Sequence, residues 1–91
     1  MLEEMKPRER AVQEGVGALS DQELLTLMLG TGHSGKAAKS VAGEILDLAQ
    51  GCLNNLATWP IESLTSIHGI GQAKATLIAA AMELGRRRNH L

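Results

Sequence analysis

Apolar residues recur at helical spacing along most of the 91-residue chain, and glycines interrupt them at intervals. A period of three to four residues is typical of helices that bury one face, whereas a half-buried strand alternates apolar and polar residues. The sequence has no segment with strand alternation. The pattern therefore predicts an all-α fold of five to six short helices joined by tight glycine turns.

Capping residues and glycines indicate where the helices begin and end. Pro7 begins a predicted helix that Gly15 stops. Ser20 and Glu23 have the spacing of a capping box, ahead of a leucine-rich helix that Gly30 stops. Further helices are predicted in KAAKSVAGEILDLAQ, CLNNLATW, IESLTSI and QAKATLIAAAMELGRRR.

The first glycine-rich turn, GTGHSGKA at 30–37, differs by one residue from the phosphate-loop pattern G-x-x-x-x-G-K-[ST]. Ala37 replaces the hydroxyl that binds Mg²⁺, and the preceding ELLTLML predicts a helix instead of the required strand. Nucleotide hydrolysis is therefore not expected. Lys36 and Lys39 are either solvated lysines or secondary phosphate contacts, since an anion would offset their unfavourable position at a helix N-terminus.

The second glycine turn belongs to LTSIHGIGQAKATLI, which matches the spaced pattern h-x-x-h-x-G-h-G-x-x-x-A. This segment resembles the helix-hairpin-helix motif of sequence-independent DNA-binding proteins. Glycines allow the sharp turn, and the amides of Gly69, Ile70 and Gly71 would bind a phosphate at the start of the next helix. Lys74, one turn later, would reach the same phosphate. The alternative is a hairpin that serves only to pack the two helices.

A faint internal repeat aligns LTLMLGTG at 25–32 with LTSIHGIG at 64–71. It predicts two helix-hairpin-helix units in a pseudo-twofold arrangement, a bundle of the SAM/HhH-like kind, within one helical domain over 1–91. The predicted parts are an N-terminal helix and lead-in (1–17), a degenerate helix-hairpin-helix (18–50), a connector (51–59), a well-matched helix-hairpin-helix (60–88) and a tail (89–91).

Composition narrows the possible functions. A net charge of −1 gives no overall attraction to nucleic acid, so DNA binding would have to be local. Trp59, the only aromatic residue, is expected to anchor the core, although stacking on a base is the alternative. The single cysteine, Cys52, cannot form an intrachain disulfide, and we expect it to be a small buried residue of a cytoplasmic protein.

Several classes of site are not expected. The histidines and Cys52 show no ligand spacing, so we predict no metal and no cofactor. The acidic residues are spread along helix faces and caps, so we predict no catalytic residue and no enzyme activity. No apolar run approaches the roughly 20 residues that span a bilayer, so no membrane partner is expected.

Two further features have open interpretations. His68 is either an exposed turn residue or a phosphate contact that depends on pH. Arg86 and Arg87, followed by Arg88, form either a secondary phosphate patch or a solvated helix end that suits the negative pole of the helix.

Four segments together resemble the N-terminal region of the RadC family: PRER at 7–10, ALSDQELLTLMLGTG at 18–32, Gly35-Lys36, and IHGIGQAKATLIAAAMELGRR at 67–87. The resemblance implies a helical DNA repair domain that precedes a JAB/MPN-type metal-binding domain. That domain's H-x-H-P-S-G signature is absent here, so no metal ligand or catalytic residue carries over. The chain is interpreted as a truncated N-terminal domain, whose full-length form would supply the C-terminal JAB-like domain as a partner.

Two hypotheses follow. The first is a DNA-binding module that contacts backbone phosphates without reading sequence. The second is a scaffold domain that docks the JAB-like domain or a second copy as a weak homodimer, with no direct DNA binding; the near-neutral charge favours it.

Overall fold

The computed structural model describes the backbone of residues 6–30 and 35–89 and the side chains of residues 6–30 and 38–88. These ranges contain a 3₁₀ turn at Val16–Ala18 but no strand, so the predicted all-α fold is confirmed. The six α-helices within them are α1 (Pro7–Glu14), α2 (Asp21–Leu29), α3 (Gly35–Leu48), α4 (Leu53–Ala57), α5 (Ile61–Thr65) and α6 (Gln72–Asn89).

The predicted capping box begins α2. Ser20 Oγ accepts a hydrogen bond from the amide of Glu23 at 3.1 Å, and Glu23 Oε1 accepts one from the amide of Ser20 at 2.9 Å. Each bond satisfies a backbone donor that a helix N-terminus would otherwise leave free. The helix therefore begins at the residue that the sequence predicts.

Arg10 joins α1 to the start of α2. Its Nη1 donates to Glu23 Oε2 at 2.6 Å, and its Nη2 donates to the carbonyl of Ala18 at 2.9 Å. The pKa of Glu23 is lowered, first by the hydrogen bond from the backbone of Ser20 and then by Arg10. Since α1 buries none of its residues, these polar contacts are a main attachment of that helix. The sequence did not predict this role for Arg10, the second arginine of PRER.

The core lies where α2 packs on α3 and α5 packs on α6, with α2 and α4 also in contact with α6. Its buried side chains are small or aliphatic, as expected for a chain with one aromatic residue. They are Leu25, Leu29, Ala38, Ala42, Ile45, Ala49, Leu56, Leu64, Ile67, Ile70, Ala75 and Ile78.

The internal repeat agrees only in part with the burial of its matched positions. Leu25 and Leu64 are both buried, but Ile67 is buried while its match Met28 is half-buried. The first turn, however, includes residues 31–34, which lie outside the described residues. The pseudo-twofold pairing of two hairpins and the division of the chain into parts therefore stay predictions.

The prediction that Cys52 is buried was wrong. After α3 the chain reverses through Gln50 and Gly51, whose φ angles are 58° and 72°, and the amide of Gly51 bonds to the carbonyl of Leu46 at 2.8 Å. This reversal leaves Cys52 exposed, as the residue that precedes α4. Trp59 is half-buried and packs against the core, as expected for an anchor.

Candidate nucleic-acid interface

The α5–α6 turn, residues 66–71, is a tight loop held by the core on one side. Ile67 and Ile70 are buried, and the amide of Ile70 donates to the carbonyl of Ile67 at 3.1 Å. Gly69 has a φ of +94°, a conformation that L side chains rarely adopt. A Cβ built on Gly69 would lie 3.2 Å from Val41 Cγ2, so this glycine also allows the turn to approach α3 closely.

Backbone donors are available where this turn meets α6. The amides of Gly69, Gly71 and Gln72 have no backbone or side-chain acceptor within the described ranges. The first hydrogen bond that closes α6 runs from the amide of Ala75 to the carbonyl of Gly71, at 3.0 Å. Free amides at the start of an 18-residue helix carry partial positive charge and suit an anion.

The structure revises the predicted role of Ile70. Its amide was expected to face a phosphate, but that donor is already bonded to the carbonyl of Ile67. The side chain of Ile70 is 5% exposed and packs into the core, where it holds the turn in place. The amide of Gln72, a residue not predicted as part of the site, is also an available donor, and its position at the start of α6 is the signal that could have found it.

Gly71 differs from Gly69 in its surroundings. Its φ is not positive, and a Cβ built on it would meet no atom within 4 Å.

Lys74 is partly exposed one turn further along α6, and its ammonium has no carboxylate partner within the described side chains. Among the described residues, the turn therefore places amides without acceptors and a lysine without a carboxylate partner at one end of α6. His68 is exposed in the same turn.

The predicted secondary phosphate contacts differ in where they lie relative to the α5–α6 turn. Lys39 is exposed on α3, and its carbonyl accepts a hydrogen bond from Gln22 Nε2 at 3.0 Å; the side chain of Lys36 lies outside the described residues. Arg86 lies twelve residues beyond Lys74 along α6, about 18 Å at 1.5 Å per residue. Arg86 and the neighbouring Arg87 thus occupy the far end of the helix from the α5–α6 turn.

Both arginines form ion pairs with the carboxylate of Glu83. Arg86 donates twice to Glu83, at 2.9 and 2.7 Å, and Arg87 Nε donates to Glu83 Oε2 at 2.9 Å. These hydrogen bonds, first from Arg86 and then from Arg87, lower the pKa of Glu83 to about 2. The ion pairs offset part of the positive charge that a phosphate patch would need.

We expect acid to remove the stabilisation that Glu83 provides. Its pKa is lower in the folded chain than its ordinary value of 4.5, so its contribution is present above pH 4.5 and is lost as the pH falls towards 2. Thermal melting of the wild type and of Glu83→Gln at several pH values checks this. The wild type should melt higher at neutral pH, and the difference should shrink below pH 4.5. A difference that does not change with pH would contradict the assignment.

A second surface feature was not predicted from the sequence. An open groove of about 670 Å³ lies between α4 and α6, beside Trp59. We call it the α4–α6 groove. Its lining is mostly apolar: Leu53, Leu56, Ala57, Trp59, Leu64, Ile78, Ala79, Ala81 and Met82, with Asn54, Thr58, Glu83, Gly85 and Arg86.

In the described part of the chain, no group of three or more histidine, cysteine or acidic side chains is placed to hold a metal ion. None of the helices in those ranges is both long and apolar enough to cross a membrane. Residues 31–34 of the first glycine turn lie outside this part, but the segment before them is helix α2 and not the strand of a phosphate loop.

Comparisons with known proteins identify relatives. UPF0758 proteins from Bacillus cereus (strain 03BB102), Halalkalibacterium halodurans and Rubrobacter xylanophilus are 45%, 48% and 44% identical over 87, 82 and 84 residues. These alignments cover 96%, 90% and 92% of this chain, but only 38%, 35% and 37% of the relatives. No solved structure matches.

The chain thus spans a little over a third of the length of these relatives. A family model described as UPF0758 N-terminal matches residues 1–76, which include α1 to α5 and the α5–α6 turn. The chain belongs to the UPF0758 N-terminal family.

Proposed function

We propose that the α5–α6 turn binds the backbone phosphates of DNA and does not read base sequence. The observation that carries this proposal is the set of amides at Gly69, Gly71 and Gln72 that have no acceptor within the described ranges, with Lys74 one turn away. A phosphate oxygen there would accept from backbone donors, interact with the positive end of α6 and pair with an ammonium.

Two further features favour sequence-independent contact. The spaced pattern in LTSIHGIGQAKATLI resembles a helix-hairpin-helix, in which phosphate contacts position the protein and carry no base code. The only aromatic side chain, Trp59, lines the α4–α6 groove and so does not belong to the α5–α6 turn. Base stacking, which single-strand binders use, thus has no platform in the turn.

The resemblance to RadC sequences supports placing this module in a DNA repair protein. In that context the module would hold DNA while the rest of a longer chain acts. The net charge of −1 and the small number of available donors suit a weak contact that other parts of such a protein strengthen.

Fluorescence anisotropy of a labelled duplex and a branched DNA, titrated with this domain, tests the proposal. We expect a Kd on the order of 10⁻⁴–10⁻⁶ M, typical of binding that does not depend on sequence. The affinity should fall steeply with added salt, because each phosphate contact releases counterions. Unrelated duplex sequences should bind alike. An absence of binding at low salt, or affinity that salt does not change, would contradict the proposal.

The second candidate function is a scaffold domain that docks the JAB-like domain or a second copy and has no direct contact with DNA. The near-neutral charge and the apolar α4–α6 groove favour it. The same titration separates the two functions, because a scaffold domain would leave both DNA probes unbound at low salt.

A further inference from the structure

The α4–α6 groove is a distinct surface from the α5–α6 turn. No residue from Ser66 to Lys74 lines it, although all of them are described. Its lining includes Leu53, which is 40% exposed, and the half-buried side chains of Trp59 and Met82. A concave, mainly apolar lining of this kind suits an inserted apolar segment more than a charged ligand.

We propose that the α4–α6 groove docks an apolar segment of the region that follows α6 in the full-length relatives. The aligned part is only 38% of the Bacillus cereus relative, and the matching family model is an N-terminal one. Most of such a relative therefore comes after the helix that forms one wall of the groove.

The position of the groove along α6 supports docking of this following segment. The groove extends along α6 as far as Arg86, and α6 ends at Asn89, about 5 Å further at 1.5 Å per residue. A chain that leaves α6 thus starts beside the end of the groove. Tethering of this kind gives an effective concentration on the order of 1 mM, so a weak apolar contact is enough for docking.

A second copy suits the groove less well. A twofold dimer places the same patch of both copies face to face. Two concave grooves would then oppose each other and leave a void where close packing is needed. The tethered segment avoids this mismatch because it can supply a convex apolar surface.

Oxidative footprinting tests the proposal on two proteins: this 91-residue chain alone, and a longer chain in which it replaces the aligned region of the Bacillus cereus relative. Trp59 and Met82 report on the groove. Met28, half-buried on α2 and outside the groove, is the internal control. For a docking Kd of ~0.1 mM at an effective concentration of ~1 mM, oxidation of the two reporters should slow about tenfold in the longer chain.

Two substitutions sharpen the test. Leu53→Glu places a charge in the groove and should restore fast oxidation of Trp59 and Met82 in the longer chain. Leu48→Glu adds the same charge at a 57% exposed position outside the groove and should leave the protection unchanged. Thermal melts confirm that both variants fold. Equal oxidation in the short and long wild-type chains would overturn the proposal, and so would protection of the short chain that rises with its concentration, which indicates a second copy.

Discussion

Gly71→Asp is expected to weaken binding to duplex DNA at least about tenfold while the domain stays folded. The backbone of Gly71 is not in the positive-φ region, and an added Cβ would meet no atom within 4 Å. Asp is also a favoured residue just before a helix, where its carboxylate accepts from the amides of the first turn. The substitution therefore stabilises the start of α6 but fills the proposed phosphate site with a negative charge.

The matched control is Gly71→Asn, which caps the helix similarly and carries no charge. We expect Gly71→Asp to weaken binding at least about tenfold, equivalent to roughly 1.4 kcal/mol, and Gly71→Asn to weaken it much less. Anisotropy at low salt measures the affinities, and circular dichroism confirms the helices. Full binding by a folded Gly71→Asp domain would rule out the α5–α6 turn as the phosphate site.

A substitution of Lys74 complements that test. Lys74→Gln should reduce the slope of log K against log salt by about 0.9, the value for one lost phosphate contact on duplex DNA. Gly69 is less informative as a site of substitution. Its φ of +94° and the 3.2 Å approach of Val41 to an added Cβ mean that a side chain there strains the fold itself.

The sequence predicted those parts of the fold that local chemistry determines. The helix that begins at Pro7 and the capping box of Ser20 and Glu23 depend on residues a few positions apart, so their patterns are visible in the sequence. The core composition follows similarly from helical spacing in a chain with a single aromatic residue. Buried positions such as Ile45 and Ile78 lie on the predicted apolar faces.

Contacts between distant segments could not be predicted in the same way. The bond from Arg10 to Glu23 depends on how α1 approaches α2, which no local pattern specifies. The hydrogen bond from the amide of Ile70 to the carbonyl of Ile67 depends on the detailed path of the turn. The α4–α6 groove forms only when the two helices pack together, and the exposure of Cys52 follows from the chain reversal before it.

Ile45→Ala is expected to lower the free energy of unfolding by about 2–5 kcal/mol, the usual cost of truncating a fully buried Ile. The side chain of Ile45 is 0% exposed on α3 and belongs to the core cluster that also contains Ile78 of α6. Urea unfolding followed by circular dichroism measures the loss. Leu48→Ala, on the same helix at a 57% exposed position, should change the stability by no more than about 0.5 kcal/mol.

The same variant tests whether the chain is one cooperative domain. Trp59 is the only tryptophan, so its fluorescence reports on the core beside α4 and α6, while circular dichroism reports on all helices. Because α3 and α6 share one core cluster, Ile45→Ala should lower the urea midpoint of both signals by the same amount. If the two predicted helix-hairpin-helix units folded independently, the fluorescence transition would stay at its wild-type midpoint. Coincident shifts would therefore mean that the α5–α6 turn depends on packing from both halves of the chain.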